Sequence, residues 1–509
     1  MTSGIAPRLA RNSLYSALKS GISLALLLVV MPYAIRVLGK EVYGIWALAA
    51  LVTSYAQLSD FGIAECVVKY AAEYRVRQDS IAINRLVNTV VATYLVLTVV
   101  VGGLLWLVLP YIAREILLIP ATLQGEAILI FRLAVGIFFV SMVTGVFASL
   151  IVATQQMGYA ATVNIVSACL GALGAIVFLS QGFGLRGLIM TNAVVALVAA
   201  VLNVWFAYRL LPDLRLNPLR WADKQMLRHI LGYSWKTQTS NLAQLLIFQL
   251  DRILLSRYLG LEAVTFYEVG CNIAMYARTF VMTLFSPMIP AASALHAEHD
   301  QGVLAGLYRR SFKFAALIAI PCCLLVVGLA HPFIHVWMGE GFALSAVTLQ
   351  LLLPIYLLNI LTSPGVFLLN GMNRPEIGMK AAVFAGVTNL FLCFFLIRSA
   401  GYFGLIAGIA LSLSGAAIYF VLMLHHNLPG LEWKMYRPIF LGPLLVCVPA
   451  ALLLHFSGPS LGLATLPMLG MTALLYLGGV ALFLLKTGYL DAFERQILFG
   501  AFIPRDDKG

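Results

Sequence analysis

Lys19, Lys236 and Arg278 each fall within or beside a long apolar run. A charged side chain at the centre of such a run costs roughly 2.5–3.5 kcal/mol on insertion scales, so it must meet a partner, water or an anion. The chemistry such cations could do is electrostatic: they could hold an anionic group, above all a phosphate, in a polar chamber at bilayer depth. Polar neighbours accompany them at helical spacing. Asn12, Ser16, Lys19 and Ser23 follow i, i+4, i+7 and i+11, which puts them on one helical face; Lys19 either lines a wet cavity there or snorkels to the membrane surface. In the second run Thr53, Gln57 and Asp60 share an arc, with Glu65 on its flank. The seventh run carries Gln238, Asn241, Gln244, Gln249 and Asp251-Arg252 broadly on one half, while Lys236 projects to the opposite side. In the eighth, Glu268, Asn272, Thr279, Thr283 and Ser286 form a stripe, and Arg278 sits near mid-depth off its centre. The carboxylates Asp60, Glu65 and Glu268 are either carriers of a coupling proton or sodium ion or partners in structural ion pairs; residue type and spacing leave both open.

Covalent chemistry finds no support. The chain lacks a G-x-x-x-x-G-K-[ST] phosphate loop, H-E-x-x-H, paired C-x-x-C and G-x-S-x-G. His296-Ala297-Glu298-His299-Asp300 reads as a solvated loop and His331/His335 as an interfacial pair, so no metal and no other cofactor is expected beyond a coupling proton or sodium ion. The seven cysteines lie singly or side by side in apolar runs and read as small buried hydrophobes. The reading is of a protein that is not an enzyme.

The elements that must position these side chains are membrane helices. Hydrophobic residues make up 61% of 509 positions and charged residues 11%, and mean hydropathy is +0.94. Apolar runs long enough to span a bilayer number about 14, because each crossing needs about 20 residues whose backbone groups are satisfied within the helix. The fold class is therefore all-α and polytopic. The first run is read as an uncleaved helix, since no small-x-small site follows it. Most of the 33 Lys and Arg fall on one side of this span order, which accounts for much of the net charge of +12 without nucleic acid. That side is expected to be cytoplasmic, with both termini on it, in a bacterial inner membrane; the opposite side is here called outer.

A repeat organises the spans. Arg36-Val37-Leu38-Gly39-Lys40-Glu41 and Arg257-Tyr258-Leu259-Gly260-Leu261-Glu262 share R-x-L-G-x-E, each in the first outer hairpin of a six-span set. Phe183-Gly184-Leu185 and Phe403-Gly404-Leu405 recur before the sixth span of each set. The expected domains are a six-helix bundle at 1–211, a cytoplasmic linker at 212–228 with a short interfacial helix, a second bundle at 229–426, and two further helices with a tail at 427–509. An even number of spans per repeat gives both bundles the same orientation, the arrangement in which substrate sites lie between halves.

The stretch Asn12-Ser13, Gly21, Pro32, Arg36-x-Leu38-Gly39-x-Glu41-x-Tyr43-Gly44, Leu58-x-Asp60-Phe61-Gly62-Ile63, and Asn370-Gly371-Met372-Asn373-Arg374-Pro375 further on, resembles the polysaccharide-transport, Wzx-type branch of the MATE-like flippase superfamily. The resemblance implies a V-shaped pair of bundles around a central cavity that opens alternately to each side. It implies as cargo an oligosaccharide on undecaprenyl pyrophosphate, moved from the cytoplasmic to the periplasmic leaflet for O-antigen, capsule or exopolysaccharide assembly, with the lipid bilayer, a polysaccharide polymerase and export proteins as partners. It marks Lys19, Lys236 and Arg278 as cavity cations. The two extra helices are a departure shared with the lipid II flippase branch. The alternative is a cation-coupled multidrug antiporter of the same superfamily, whose cavity would carry acidic and aromatic residues but few cations.

Overall fold

A computed structural model describes residues 5–285, 288–297, 301–428, 430–457 and 465–489, with side chains undescribed at 5–20, 233–237, 240, 290–291, 294, 296–297, 301 and 457. The expectations placed on Asn12, Ser16, Lys19, Lys236 and the His296–Asp300 cluster therefore lie outside the described side chains. Every regular element among the described residues is helical.

In chain order these are α1 (Ile5–Leu38), α2 (Lys40–Ala56), α3 (Ile63–Val76), α4 (Ser80–Leu97), α5 (Gly103–Tyr111), α6 (Ala121–Ala153), α7 (Met157–Ser180), α8 (Gly184–Leu210), α9 (Pro218–Trp221), α10 (Lys224–Phe248), α11 (Leu250–Leu259), α12 (Leu261–Leu284), α13 (Met288–Ala297), α14 (Gln301–Met338), α15 (Ala343–Gly371), α16 (Pro375–Asn427), α17 (Tyr436–Ser457) and α18 (Leu466–Lys486). Eleven elements are long and apolar enough to cross a membrane among the described residues, fewer than the 14 runs read from sequence. Two physical reasons separate the counts. The 53-residue α16 counts once, although Ala400 and Gly401 leave helical geometry within it (φ −128° and +56°). The seventh and eighth runs, now α10–α11 and α12, carry too many polar residues to qualify on apolarity.

Contacts group the chain into two compact units, residues 1–268 with 379–416, and residues 269–378 with 417–509; the boundaries fall inside α12 and α16. In the first unit α6 is a central strut, packing against α2, α3 and α8, while α1 lies along α7. Its inner face carries Phe131, Ile130, Val135 and Phe139, all nearly fully buried, while Leu129, Leu133 and Val140 share an exposed apolar face. In the second unit α14 packs against α15, α17 and α18. Gly328 lets α17 approach: a Cβ there would stand 2.9 Å from the Ala451 carbonyl oxygen. Close backbone approach at small residues is how helices associate where lipid removes the hydrophobic drive between them.

The repeat has a backbone counterpart. Gly39 ends α1 at φ 82°, ψ 166°, and Gly260 ends α11 at φ 86°, ψ 178°, a region open in practice only to glycine. Neither has an atom near where a Cβ would stand, so the requirement is conformational rather than steric. The two hairpins also touch. A Cβ on Gly44 would lie 2.5 Å from the Leu261 carbonyl oxygen, the Thr265 hydroxyl donates to the Lys40 carbonyl at 2.6 Å, and the Lys40 ammonium sits 4.8 Å from the centre of the Phe266 ring.

The second span is broken. After α2 the chain passes through a 3₁₀ turn at Gln57–Asp60, then Phe61 (φ 51°) and Gly62 (φ 72°) are both left-handed before α3 begins. Left-handed geometry at a bulky residue costs about 1–3 kcal/mol, so neighbours must hold it. The Tyr94 hydroxyl donates to the Asp60 carboxylate, and Gln238 Nε2 donates to the Leu58 carbonyl at 2.8 Å.

Replacing Gly44 with Ala should lower unfolding stability by about 1–3 kcal/mol, the usual cost of forced overpacking. Gly136→Ala, on an open face of α6 with nothing near its Cβ position, should leave stability unchanged or raised. Thermal unfolding of the detergent-solubilised proteins compares the two, and equal stability would remove the steric account of the hairpin contact.

Candidate functional site

The polar residues of the seventh and eighth runs divide into two sets. One is exposed: Asn241 and Gln244 on α10, and Gln57 at the break in the second span, present polar side chains in otherwise apolar helices. The other is buried and tightly paired. Asp251 is 1% exposed and Arg252 8%. The Tyr267 hydroxyl donates to Asp251 Oδ2 at 2.5 Å, and Arg252 Nε donates to Glu268 Oε2 at 2.7 Å. Arg252 Nη1 also donates to the Phe248 carbonyl at 2.7 Å, satisfying a helix end where α10 gives way to α11. The sequence groups Asp251-Arg252 with Asn241 and Gln244 on one polar half of the seventh run, which suggests a hydrated face; the structure separates them, burying Asp251 and Arg252. Both side chains turn into the protein, because Tyr267 and Glu268, one hairpin later in the chain, supply partners that water would otherwise have to supply.

Asp251 Oδ1 is buried with no hydrogen-bond partner among the described residues. The surroundings of this carboxylate come from four elements of the first unit. Tyr55 on α2 lies within its electrostatic reach, as does Cys393 on α16. Cys393 Sγ donates to Asn389 Oδ1 at 2.8 Å, and Asn389 Nδ2 donates to the Ile247 carbonyl at 3.2 Å. Tyr43 lies within electrostatic reach of Glu268 and Arg252. A buried carboxylate with one oxygen unsatisfied is an acceptor that a proton or a small cation could complete. Sequence reading singled out Asp60, Glu65 and Glu268 for coupling and passed over Asp251. The signal was present: Asp251-Arg252 and Tyr267-Glu268 are adjacent pairs of complementary groups flanking the hairpin at Gly260.

The three carboxylates expected to couple stand differently. Glu268 is engaged by Arg252. Asp60 accepts from Tyr94 and, at 3.4 Å, from the Ala64 amide at the start of α3. Glu65 is exposed on the first turn of α3.

Arg278 belongs to the second unit. It is half-buried on α12, and its Nε donates to Asn359 Oδ1 on α15 at 2.7 Å. On the same two helices Cys271 Sγ lies 3.7 Å from the Tyr356 hydroxyl. Asn272, one helical turn and a half before Arg278, is half-buried. Asn359 offers the guanidinium a neutral acceptor that fixes its orientation. Pro354 and Pro364 flank Asn359 within α15.

A pocket of about 470 Å³ opens at the outer end of the first unit, lined by Gly125, Glu126, Leu129, Gly182, Phe183, Gly184 and Arg186. None of the expected site residues lines it.

A family model described as Polysaccharide biosynthesis protein matches residues 9–296, and one described as MatE matches residues 238–395. A protein of Shigella flexneri named “Putative O-antigen transporter” is 20% identical over 403 residues, covering 77% of this chain and 92% of its own. Among solved structures, an inward-facing multidrug resistance MATE family transporter of the MOP superfamily superposes with TM-score 0.69 at 14% identity, covering 80% of this chain and 98% of its own. The lipid II flippase MurJ in an inward closed conformation superposes with TM-score 0.67 at 12% identity, covering 97% and 99%. With one family spanning more than half its length, this chain belongs to the polysaccharide biosynthesis protein family, and it shares its fold with these transporter and flippase structures.

Proposed function

We propose that the chain is a flippase that carries an undecaprenyl-pyrophosphate-linked oligosaccharide from the cytoplasmic to the periplasmic leaflet by alternating access, for O-antigen, capsule or exopolysaccharide assembly. The observation that carries the reading is Arg278, a half-buried guanidinium in the largely apolar α12 whose Nε donates to Asn359 Oδ1 at 2.7 Å. A pyrophosphate bearing sugars is anionic and polar. It needs fixed cations and hydrogen-bonding side chains along its path, while its lipid tail stays in the bilayer. Lys19 and Lys236 are the further cations of this path, and Asn12, Ser16, Gln57, Asn241, Gln244 and Asn272 its polar lining.

The same reading assigns energy coupling to Asp251. A proton or sodium ion taken at its unsatisfied oxygen would supply the bond that oxygen lacks. The equilibrium between two arrangements of the helices then follows the ion's differential affinity for them. Arg252 and Glu268 serve beside it as a fixed ion pair. A drug antiporter would have little use for a deep cation such as Arg278, which repels cationic cargo.

Arg278→Ala should weaken cargo binding by about 1.5–3 kcal/mol, tenfold or more. Surface glycan should fall accordingly at unchanged membrane abundance, Lys19→Ala should do the same, and Arg278→Lys should keep part of the activity. Normal glycan from both alanine variants would remove the cation path. For coupling, Asp251→Asn should make uptake of the lipid-linked glycan into inverted vesicles insensitive to proton and sodium gradients. The paired replacement Arg252→Met with Glu268→Leu should keep gradient dependence and stability. Glu268→Ala alone should cost about 3–5 kcal/mol in thermal unfolding, because it strands a buried guanidinium. Gradient-dependent transport by Asp251→Asn would move coupling elsewhere.

A further inference from the structure

The linker between the repeats is clamped to α4. Asn84 Nδ2 donates to the Asp213 carbonyl at 3.0 Å, and Asn84 Oδ1 accepts from the Arg215 amide at 2.5 Å. One turn along, Asn88 Nδ2 donates to the Arg215 carbonyl and its Oδ1 accepts from the Asn217 amide, both at 2.7 Å. Thr89 Oγ1 accepts from the Asp223 amide at 2.9 Å. Asn84, Asn88 and Thr89 are 5%, 0% and 3% exposed. Two asparagines at i and i+4 thus bond every second residue of the linker backbone, the spacing of an extended strand, so the segment is a fixed strap and not a slack tether. Leu214 is buried under it.

The strap's outward side is unlike an ordinary solvated loop. Leu219 is fully exposed and Leu216 is 46% exposed, while Pro218 at the first turn and Asn217 as its cap fix α9 so that Leu219, Arg220 and Trp221 follow in a single turn. Arg209, Arg215, Arg220, Lys224 and Arg228 are all exposed, and none is ion-paired among the described residues. The only acidic residues on the segment are Asp213, which is exposed, and Asp223, whose carboxylate caps α10 at the Gln225 amide. Trp205, one turn before the end of α8, is 53% exposed with Arg209 5.6 Å from its ring, the placement of a side chain at the membrane–water boundary.

We propose that the strap is a lipid-binding element that seats on the headgroups of anionic phospholipids, with Leu219 and Leu216 among the upper acyl carbons and Arg215 and Arg220 on phosphates. Three observations converge on that partner. The strap follows directly on α8, a helix long and apolar enough to cross a membrane, its exposed charge is strongly positive, and its most exposed residue, Leu219, is an apolar one that water alone would not favour. The asparagine clamp supplies the rigidity, so that the headgroup contacts position α8 and the start of α10.

The test places the full-length protein in nanodiscs of phosphatidylcholine and of phosphatidylglycerol-rich lipid and follows deuterium uptake of residues 212–223 by mass spectrometry. Uptake should be about tenfold slower in the anionic discs, and Arg215→Gln with Arg220→Gln should exchange at the phosphatidylcholine rate in both. Unchanged protection of α6 in the same spectra certifies the fold of the variant. Equal uptake by the wild type in the two lipids would overturn the proposal, as would a lipid difference that survives the double replacement. Protection produced only by adding undecaprenyl pyrophosphate to phosphatidylcholine discs would overturn it in favour of cargo docking. The readout needs no glycan transport, so it stands or falls apart from the proposed function.

Discussion

Lipid offers no partner for a charge, so every ionised side chain placed at bilayer depth must be answered from within the protein or by water drawn in after it. This constraint shapes the hairpin of α11 and α12. Asp251 and Arg252 sit side by side on one helix, and Tyr267 and Glu268 answer them from the next. The bonds fix the register of the two helices, and Gly260 supplies the left-handed turn that brings the second helix back at that register. The pairs also decide which way the helices face. With Asp251 and Arg252 turned inward, Gln244 and Asn241, about two and three turns earlier, remain exposed.

The satisfied and the unsatisfied groups play different parts. Arg252 and Glu268 form an ion pair whose separation would leave two buried charges, so it moves as one piece in any rearrangement. Asp251 has one oxygen bonded and one not. A group half satisfied in this way is the place where binding of a proton or cation changes the free energy most, because the desolvation cost is already present in the empty state. Asp60, by contrast, is bonded by Tyr94 and lies against the first turn of α3. Its environment suits the holding of a broken helix, with Phe61 strained beside it at φ 51°.

Much of this was legible in the sequence. Apolar length gave the membrane helices, and the matching R-x-L-G-x-E hairpins gave the repeat, since a glycine demanded by backbone geometry recurs wherever that geometry does. The linker's short helix was legible from Pro218 and its neighbours. Other features were not. A span count from apolar length alone fails where function has replaced leucine with Gln, Asn and Glu, as in α10 and α12, and where one helix runs through a break, as at Gly401. The direction of Asp251 was missed because a polar stripe on a helix reads the same whether water or a neighbouring helix satisfies it; only the partner, sixteen residues away, distinguishes them. The strap's bonds were illegible for a related reason. Asn84 and Asn88 recognise backbone amides and carbonyls, which every residue carries, so no pattern in residues 213–217 announces the contact.

The contacts that the hairpin at Gly260 makes with the hairpin at Gly39 and with the α5–α6 connection run from side chains to backbone oxygens, unlike the pairs at Asp251 and Arg252. Thr265 donates to the Lys40 carbonyl, Ser256 to the Leu117 carbonyl at 2.6 Å, and Arg257 to the Glu115 carbonyl at 2.6 Å. Each joins a side chain to a backbone oxygen near a helix end, and each is worth about 1 kcal/mol net, because water can take the place of either member when the contact opens. A junction built from such bonds opens for a few kcal/mol, within the range that a ligand's preference for one state can supply. Arg252 with Glu268 cannot open on those terms. The fold thus places exchangeable bonds around the outer hairpin at Gly260 and a buried ion pair, Arg252 with Glu268, a few residues away in α11 and α12.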